Sequence, residues 1–345
     1  MTLTQPLQLT GMPGSPYTRK MLAYLRFRHI RYELLIGNRA TELGLPRPKV
    51  ELLPTFYLAD EQGNIRAEVD STPLIRRFEQ EFAGRSTLPE SPVLAFLNYL
   101  IEDYADEWLT KPMFHYRWYY EADIDKAGTI LPRWRAMQAS ETTLQTMKQQ
   151  FAERQISRLY VVGSNDETAG VIEDSYRRFL KIMDGLLQKQ TFVLGDRPAS
   201  ADFGIYAQLT QLASFDPTPA AICLEEAPRV RAWTDIVDDL SGFPAEDDAW
   251  IPEDRISSTL GDLLSEIGRV YAPVLIANAA AIQRGDKEMS TTIDGRPWHQ
   301  PVFPYQAKCL RWINDAYREL DGTNRSRIDS ILAGTGCETI LEPLT

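Results

Sequence analysis

The chain has 345 residues, 43% of them hydrophobic and 25% charged, and carries a net charge of −11. Those fractions belong to a folded globular protein rather than a disordered one, and the length calls for two or three domains. A pI near 5.0 excludes the basic footprint of a nucleic-acid-binding protein, and three scattered cysteines (Cys223, Cys309, Cys337) with three histidines supply neither a disulfide framework nor metal-ligand spacing.

In chain order, the opening MTLTQPLQLT lacks the basic-then-apolar pattern of a signal sequence, which with the reduced cysteines gives a cytoplasmic expectation. LQLT (Leu7–Thr10) alternates as a short strand. GMPGSPYTRKM then opens a helix running from Tyr17 to about His29, with Met21, Leu22 and Leu25 at helical spacing. YELLI is a second strand. After a proline-broken connection, TFYLA and NIRAEV form a hairpin around EQGN, with Gly63 in the turn. DSTPLIRRFEQEF starts a helix for which Ser71 is a good N-cap, with Pro73 tolerated in the first turn. Strand–helix–strand followed by strand–strand–helix supplies one parallel and one antiparallel pairing, the thioredoxin-like order.

LPESP (Leu88–Pro92) reads as a linker. Helical patterns follow from about residue 93 to 242, including VIEDSYRRFLKIMDGLLQ with Ile172, Phe179, Met183, Leu186 and Leu187 on one stripe. In GDRPASADFGIYAQL, Asp202 lacks a hydroxyl partner three residues earlier, where Ala199 stands, which predicts an imperfect cap. From 243 onward, Ile256, Leu260, Leu263, Leu264, Ile267, Val270 and Tyr271 keep helical spacing. The longest apolar stretch, Val270–Ile282, is too short to span a bilayer and contains Pro273 and Asn278, so it reads as a buried helix and no membrane contact is expected. TTIDGRPWHQP is a loop or small hairpin around Asp294 and Gly295, and PYQAKCLRWINDAYREL and RIDSILAG are further helices. There is no internal repeat.

SPYT at the start of the first helix has the shape of a CPYC redox turn with both cysteines replaced, by Ser15 and Thr18. With a proline before the third strand, an acidic–Ser pair opening the last helix of this part, and the Gly-Asp-x-Pro turn ahead of ADFGIYAQL, the chain resembles the cytosolic glutathione transferases over roughly residues 5–240. The resemblance implies an α/β thioredoxin-like glutathione-binding domain (1–86), an all-helical domain lining an electrophile pocket (93–242) and a helical C-terminal extension (243–345) of unassigned role. It also implies glutathione as cosubstrate, a small hydrophobic electrophile as the second substrate, and a homodimer.

A helix N-terminus favours an anion by about 0.3–1 kcal/mol, whereas each unit of thiol pKa lowering needs about 1.4 kcal/mol. A hydroxyl donor can make up the difference. Ser15 would be that donor, steadying the thiolate of glutathione; Tyr17 and Thr18 are alternatives. Ser15 is also a favoured N-cap, and the two roles stand side by side. By resemblance, Pro54 would be cis and Leu53 would pair its backbone with the cysteinyl unit of the tripeptide. The opening of the last helix would take the γ-glutamyl group, Ser71 its carboxylate and Asp70 its amine, although the family usually has Glu at that position. Arg39, Arg47 and Lys49 are candidates for the glycyl carboxylate. In EDYADEWLTKPMFHYRWYY, Tyr104 and Trp108 share a helical face and are the candidates for the electrophile pocket. Two other functions compete: a non-catalytic binding or scaffold protein of the same fold, and, last, a glutathione-dependent disulfide reductase, which lacks its cysteine at positions 15 and 18.

Overall fold

A computed structural model describes residues 3–246 and 249–342; the outermost positions of the expected segments 1–86 and 243–345, and residues 247–248, lie outside them. Strand β1 (Leu7–Thr10) runs parallel to β2 (Tyr32–Leu35), and helix α1 (Pro16–Phe27) connects them. β3 (Thr55–Ala59) pairs antiparallel with β1 on one side and with β4 (Ile65–Glu68) on the other, giving the order β2-β1-β3-β4. A single-turn helix α2 (Arg39–Glu42) sits in the proline-broken connection, and α3 (Ser71–Glu81) closes this part. This is the thioredoxin-like arrangement read from the sequence.

The end of α1 and the start of α3 differ from the expectation. α1 stops at Phe27, and His29 follows with φ 55°. In α3, Asp70 and not Ser71 holds the cap position, Ser71 being the first helical residue. The reason is Asp70's φ of 84°, a left-handed backbone value that an Asp sequence does not announce.

Eight helices follow: α4 (Pro92–Glu107), α5 (Thr110–Tyr119), α6 (Glu121–Arg135), α7 (Glu141–Ile156), α8 (Ala169–Leu187), α9 (Ser200–Leu209), α10 (Pro217–Glu226) and α11 (Pro228–Val237). Ser91 caps α4 by accepting the Leu94 amide hydrogen, and Pro92 occupies the first turn. Without a hydroxyl at 199, the α9 entry is tied from the other side: the Asp202 carboxylate accepts the amide hydrogens of Ala199 and Val193, both at 2.8 Å. The stripe expected on α8 is buried except for Leu187, which is half-buried.

The last part comprises α12 (Ile256–Glu266), α13 (Ala272–Arg284), α14 (Pro304–Glu319), α15 (Gly322–Leu332) and an antiparallel hairpin of β5 (Glu288–Ile293) and β6 (Arg296–Pro301). Asp294 and Gly295 form its turn, both with positive φ, as a two-residue hairpin requires. All seven apolar positions from Ile256 to Tyr271 are fully buried, but the helix widens to a π-helical turn at Ile267–Tyr271 before α13 begins. Among the described residues no helix is long and apolar enough to cross a membrane. One hydrophobic core runs from Leu3 through α4 and α8 to Ile340.

Candidate active site

Strand register brings the sequence-predicted residues together. Thr10 lies opposite Thr55, which places Gly11 beside Pro54. Phe56 lies opposite Glu68, which brings Asp70 and Ser71 to the end of the sheet where Leu53 stands. At that end Ser15 caps α1, its Oγ accepting the Thr18 amide hydrogen at 3.3 Å and donating to the Leu53 carbonyl at 3.2 Å. The Leu53–Pro54 bond is cis. Thr18 is fully buried, and its hydroxyl accepts the Met12 amide hydrogen inside the turn. Tyr17 donates to the Asp106 carbonyl at 2.8 Å, and burial pushes its hydroxyl well above the ordinary range. Of the three hydroxyls, Ser15 is the one at the helix tip.

Asp70 uses its carboxylate for no cap; Oδ2 instead accepts the Tyr305 hydroxyl at 2.7 Å. Ser71 is 5% exposed beneath it. Next along, Thr72 accepts from Lys20 Nζ at 3.0 Å, which ties the start of α3 to α1. Arg39 pairs with Glu42 on the surface, while Arg47 and Lys49 are exposed and form no ion pair among the described residues.

Residues 9–86 match the family model described as the glutathione S-transferase N-terminal domain, and residues 143–235 match that of its C-terminal domain. The chain belongs to the glutathione transferase family. Similar solved structures include a glutathione transferase family member from Pseudomonas fluorescens with two glutathione bound (14% identity, 70% of this chain and 92% of that one, TM-score 0.40). Others are a glutathione S-transferase from Rhodospirillum rubrum (17%, 71% and 96%, TM-score 0.40) and the Tau class enzyme from mango, Mangifera indica (15%, 72% and 94%, TM-score 0.40). The family models carry the assignment; overlays this loose do not add to it. No curated protein sequence matches the chain significantly.

The predicted electrophile residues are placed elsewhere. Tyr104 and Trp108 are fully buried. Tyr104 packs on Phe179 and Tyr271, and Trp108 tilts onto Trp298 at 5.6 Å while its Nε1–H donates to Ser175. The cause is helical phase. Glu102 and Asp106 face α1 through Lys20, with Nζ–O distances of 2.7 and 2.6 Å. Residues two positions away sit about 200° round the helix and point into the core.

The apolar surface beside the Ser15 turn comes instead from α6 and from the π-helical segment Thr210–Phe215. A Cβ on Gly14 would fall 2.3 Å from Leu131 Cδ2 and 3.1 Å from Trp134, so these two side chains lie directly against the turn. Trp134 packs on Phe215 at 5.2 Å.

A clasp that the sequence did not disclose fixes the turn. Arg117 Nη1 donates to the Gly14 carbonyl at 2.9 Å, and Gln211 Nε2 donates to that of Pro13 at 3.1 Å. The same guanidinium is bidentate on the buried Asp216, at 3.0 and 2.9 Å. Arg117 lies in the aromatic run and is hidden from pattern reading by its neighbours. The wide π turn, which places Gln211 within reach, has no sequence signature.

No group of three or more His, Cys, Asp or Glu among the described residues is arranged to hold a metal ion. The three thiols are buried, and burial raises Cys223 to about 11 and Cys337 to about 12. Buried His115 has both ring nitrogens engaged, by Ser164 and Glu173, and packs as a satisfied core residue.

Proposed function

We propose that this protein transfers the thiol of glutathione to a small hydrophobic electrophile, with Ser15 steadying the thiolate. The observation that carries the reading is the Ser15 hydroxyl at the N-terminus of α1, hydrogen-bonded to the carbonyl beside the cis proline. Backbone N–H groups at the helix tip favour negative charge, and the hydroxyl adds a directed donor. On binding, the hydroxyl proton turns from the Leu53 carbonyl to sulfur, while Leu53 pairs with the cysteinyl backbone as an added strand would. The start of α3 takes the γ-glutamyl group, Ser71 and the helix N-terminus its carboxylate and Asp70 its amine. Arg47 and Lys49 are available to the glycyl carboxylate.

Residues 1–86 form the tripeptide-binding part in this reading. The electrophile meets the sulfur from the side of Leu131, Trp134 and Phe215, an apolar wall in the helical part. Holding both reactants in place supplies much of the acceleration, and a thiol with a near-neutral pKa can lose its proton to solvent. Assembly as a homodimer and a cytoplasmic setting follow from the family and the composition.

The test combines glutathione titration with turnover of an aromatic electrophile. The expected result is millimolar or tighter binding by the wild type, and a Ser15→Ala variant whose turnover falls at least about tenfold with affinity nearly kept, one pKa unit being a factor of ten. Binding without turnover in the wild type would favour the non-catalytic reading, and unchanged turnover in Ser15→Ala would remove Ser15 from the chemistry.

A further inference from the structure

We propose that Tyr305, contributed by the C-terminal third of the chain, is a positioning residue of the tripeptide site that holds the Asp70 carboxylate toward the amino group of the ligand. The inference rests on the glutathione-binding reading above and assigns part of the C-terminal third a role in it.

Asp70 stands where a side chain ordinarily caps a helix, with φ 84° and ψ 106°, yet its carboxylate makes no capping bond. A left-handed backbone at a non-glycine residue costs about 1–3 kcal/mol and persists only where surrounding structure imposes it. Its side chain is met from 235 residues away, the Tyr305 hydroxyl donating to Asp70 Oδ2 at 2.7 Å.

Tyr305 is itself fixed by bonds that do not involve Asp70. The buried Asn278 of α13 grips the residue before α14 from both sides, accepting the Phe303 amide hydrogen at 2.7 Å and donating to the Phe303 carbonyl at 2.9 Å. Gln306, also buried, donates to the Glu107 carbonyl at 3.4 Å. The Tyr305 ring meets Trp312 edge-on at 6.2 Å, and the Lys308 ammonium lies over both rings. The donor is therefore in place before any ligand arrives.

The chemistry of the donor matters. A lysine or arginine at 305 would form an ion pair with Asp70 and compete with an incoming ammonium. A phenol satisfies one carboxylate oxygen and brings no positive charge. Oδ1 has no hydrogen bond among the described residues, and it remains the acceptor for an α-ammonium group. Recognition would thus extend to amines that sit beside a carboxylate, as in a γ-glutamyl unit, with the carboxylate at the start of α3.

The test uses the full chain and two ligands, glutathione and its analogue with hydrogen in place of the γ-glutamyl amino group. Tyr305→Phe removes one half-buried oxygen and keeps the ring packing; its near-ultraviolet circular dichroism should match the wild type. By titration calorimetry, Asp70→Asn should weaken glutathione about tenfold or more and Tyr305→Phe about threefold to tenfold, the range for an ordinary net hydrogen bond. Both variants should bind the deaminated analogue as the wild type does, and the double variant should bind glutathione no worse than Asp70→Asn alone. Selective loss in Asp70→Asn with none in Tyr305→Phe overturns the inference and leaves the site reading standing. Equal weakening of both ligands by Tyr305→Phe marks a purely structural role and also overturns it. A wild type that binds neither ligand at ~10 mM, or binds both alike, overturns the site reading and the inference with it.

Discussion

Ser15 Oγ accepts the Thr18 amide hydrogen and donates to the Leu53 carbonyl, so one oxygen serves the helix as a cap and the proposed chemistry as a donor. The two roles separate experimentally. Glycine replaces a serine cap at a cost of only a few tenths of a kcal/mol, whereas alanine costs about 1 kcal/mol. Ser15→Gly is therefore expected to unfold in urea close to the wild type and Ser15→Ala about 1 kcal/mol earlier, with turnover lost to the same extent in both. Turnover that tracks stability across the pair would assign Ser15 to the cap alone. At this scale the sequence was informative where a residue type has few uses, as at Ser15 and Leu53–Pro54. It misplaced the α3 cap because nothing in Asp-Ser announces the positive φ of Asp70.

Among the elements, α4 carries two opposed stripes. Its aromatic stripe, Tyr104 and Trp108, drew attention in the sequence as a candidate pocket. Its acidic stripe does more of the joining, since Glu102 and Asp106 meet Lys20 while Asp103 accepts the Tyr271 hydroxyl at 2.5 Å. Periodicity shows that residues four apart share a face, but not which face meets which neighbour, so stripe and destination were legible separately.

Burial raises Asp103 to about 7, and burial with the negative charges of Asp103 and Asp106 raises Glu107 to about 8. Glu107 also faces Lys111 of α5, which burial lowers to about 8, and Gln306 of α14. A carboxyl whose folded pKa exceeds its unfolded value binds more protons in the native state, so its stabilisation is complete below about pH 4 and is lost as pH rises toward 8. Glu107→Gln removes that loss. It should match the wild type at pH 5 and exceed it at pH 8 by at least about 1 kcal/mol, less than one pKa unit's worth, in urea melts read at both values. A variant equally stable or weaker at pH 8 would contradict the sign.

The clasp between α5 and the turn makes a second expectation at this scale. Removing one partner of a buried ion pair costs about 3–5 kcal/mol. Arg117→Met leaves Asp216 charged and unpaired and releases the Gly14 carbonyl, so both the urea midpoint and glutathione affinity should fall. Asp216→Asn, which keeps an acceptor for the guanidinium, should lose less of each.

Across the whole molecule, the part after residue 242 shares the core of the rest. Trp298 lies on Trp108, Tyr271 on Tyr104 and Tyr317 on Phe96. The Arg178 guanidinium of α8 is bidentate on Glu266 of α12, at 2.8 and 2.9 Å. Gly268 packs so closely on the backbone at Thr335–Cys337 that a Cβ would fall 2.1 Å from the Thr335 carbonyl. The helices of this part were legible from spacing, but the surface they cover was not, since periodicity marks a buried face without naming its partner.

The covered surface decides what truncation does. Each large apolar side chain returned to water costs about 1.5–3 kcal/mol, and a native domain has only about 5–15 kcal/mol in hand. Tyr104, Trp108 and Phe96 alone would consume most of that range, before the uncovering of α8 is counted. A chain ending at residue 242 is therefore expected to be insoluble, or to lack near-ultraviolet circular dichroism and a cooperative melt. A 1–242 fragment that melts cooperatively and binds glutathione like the full chain would show instead that the C-terminal third is an appendage.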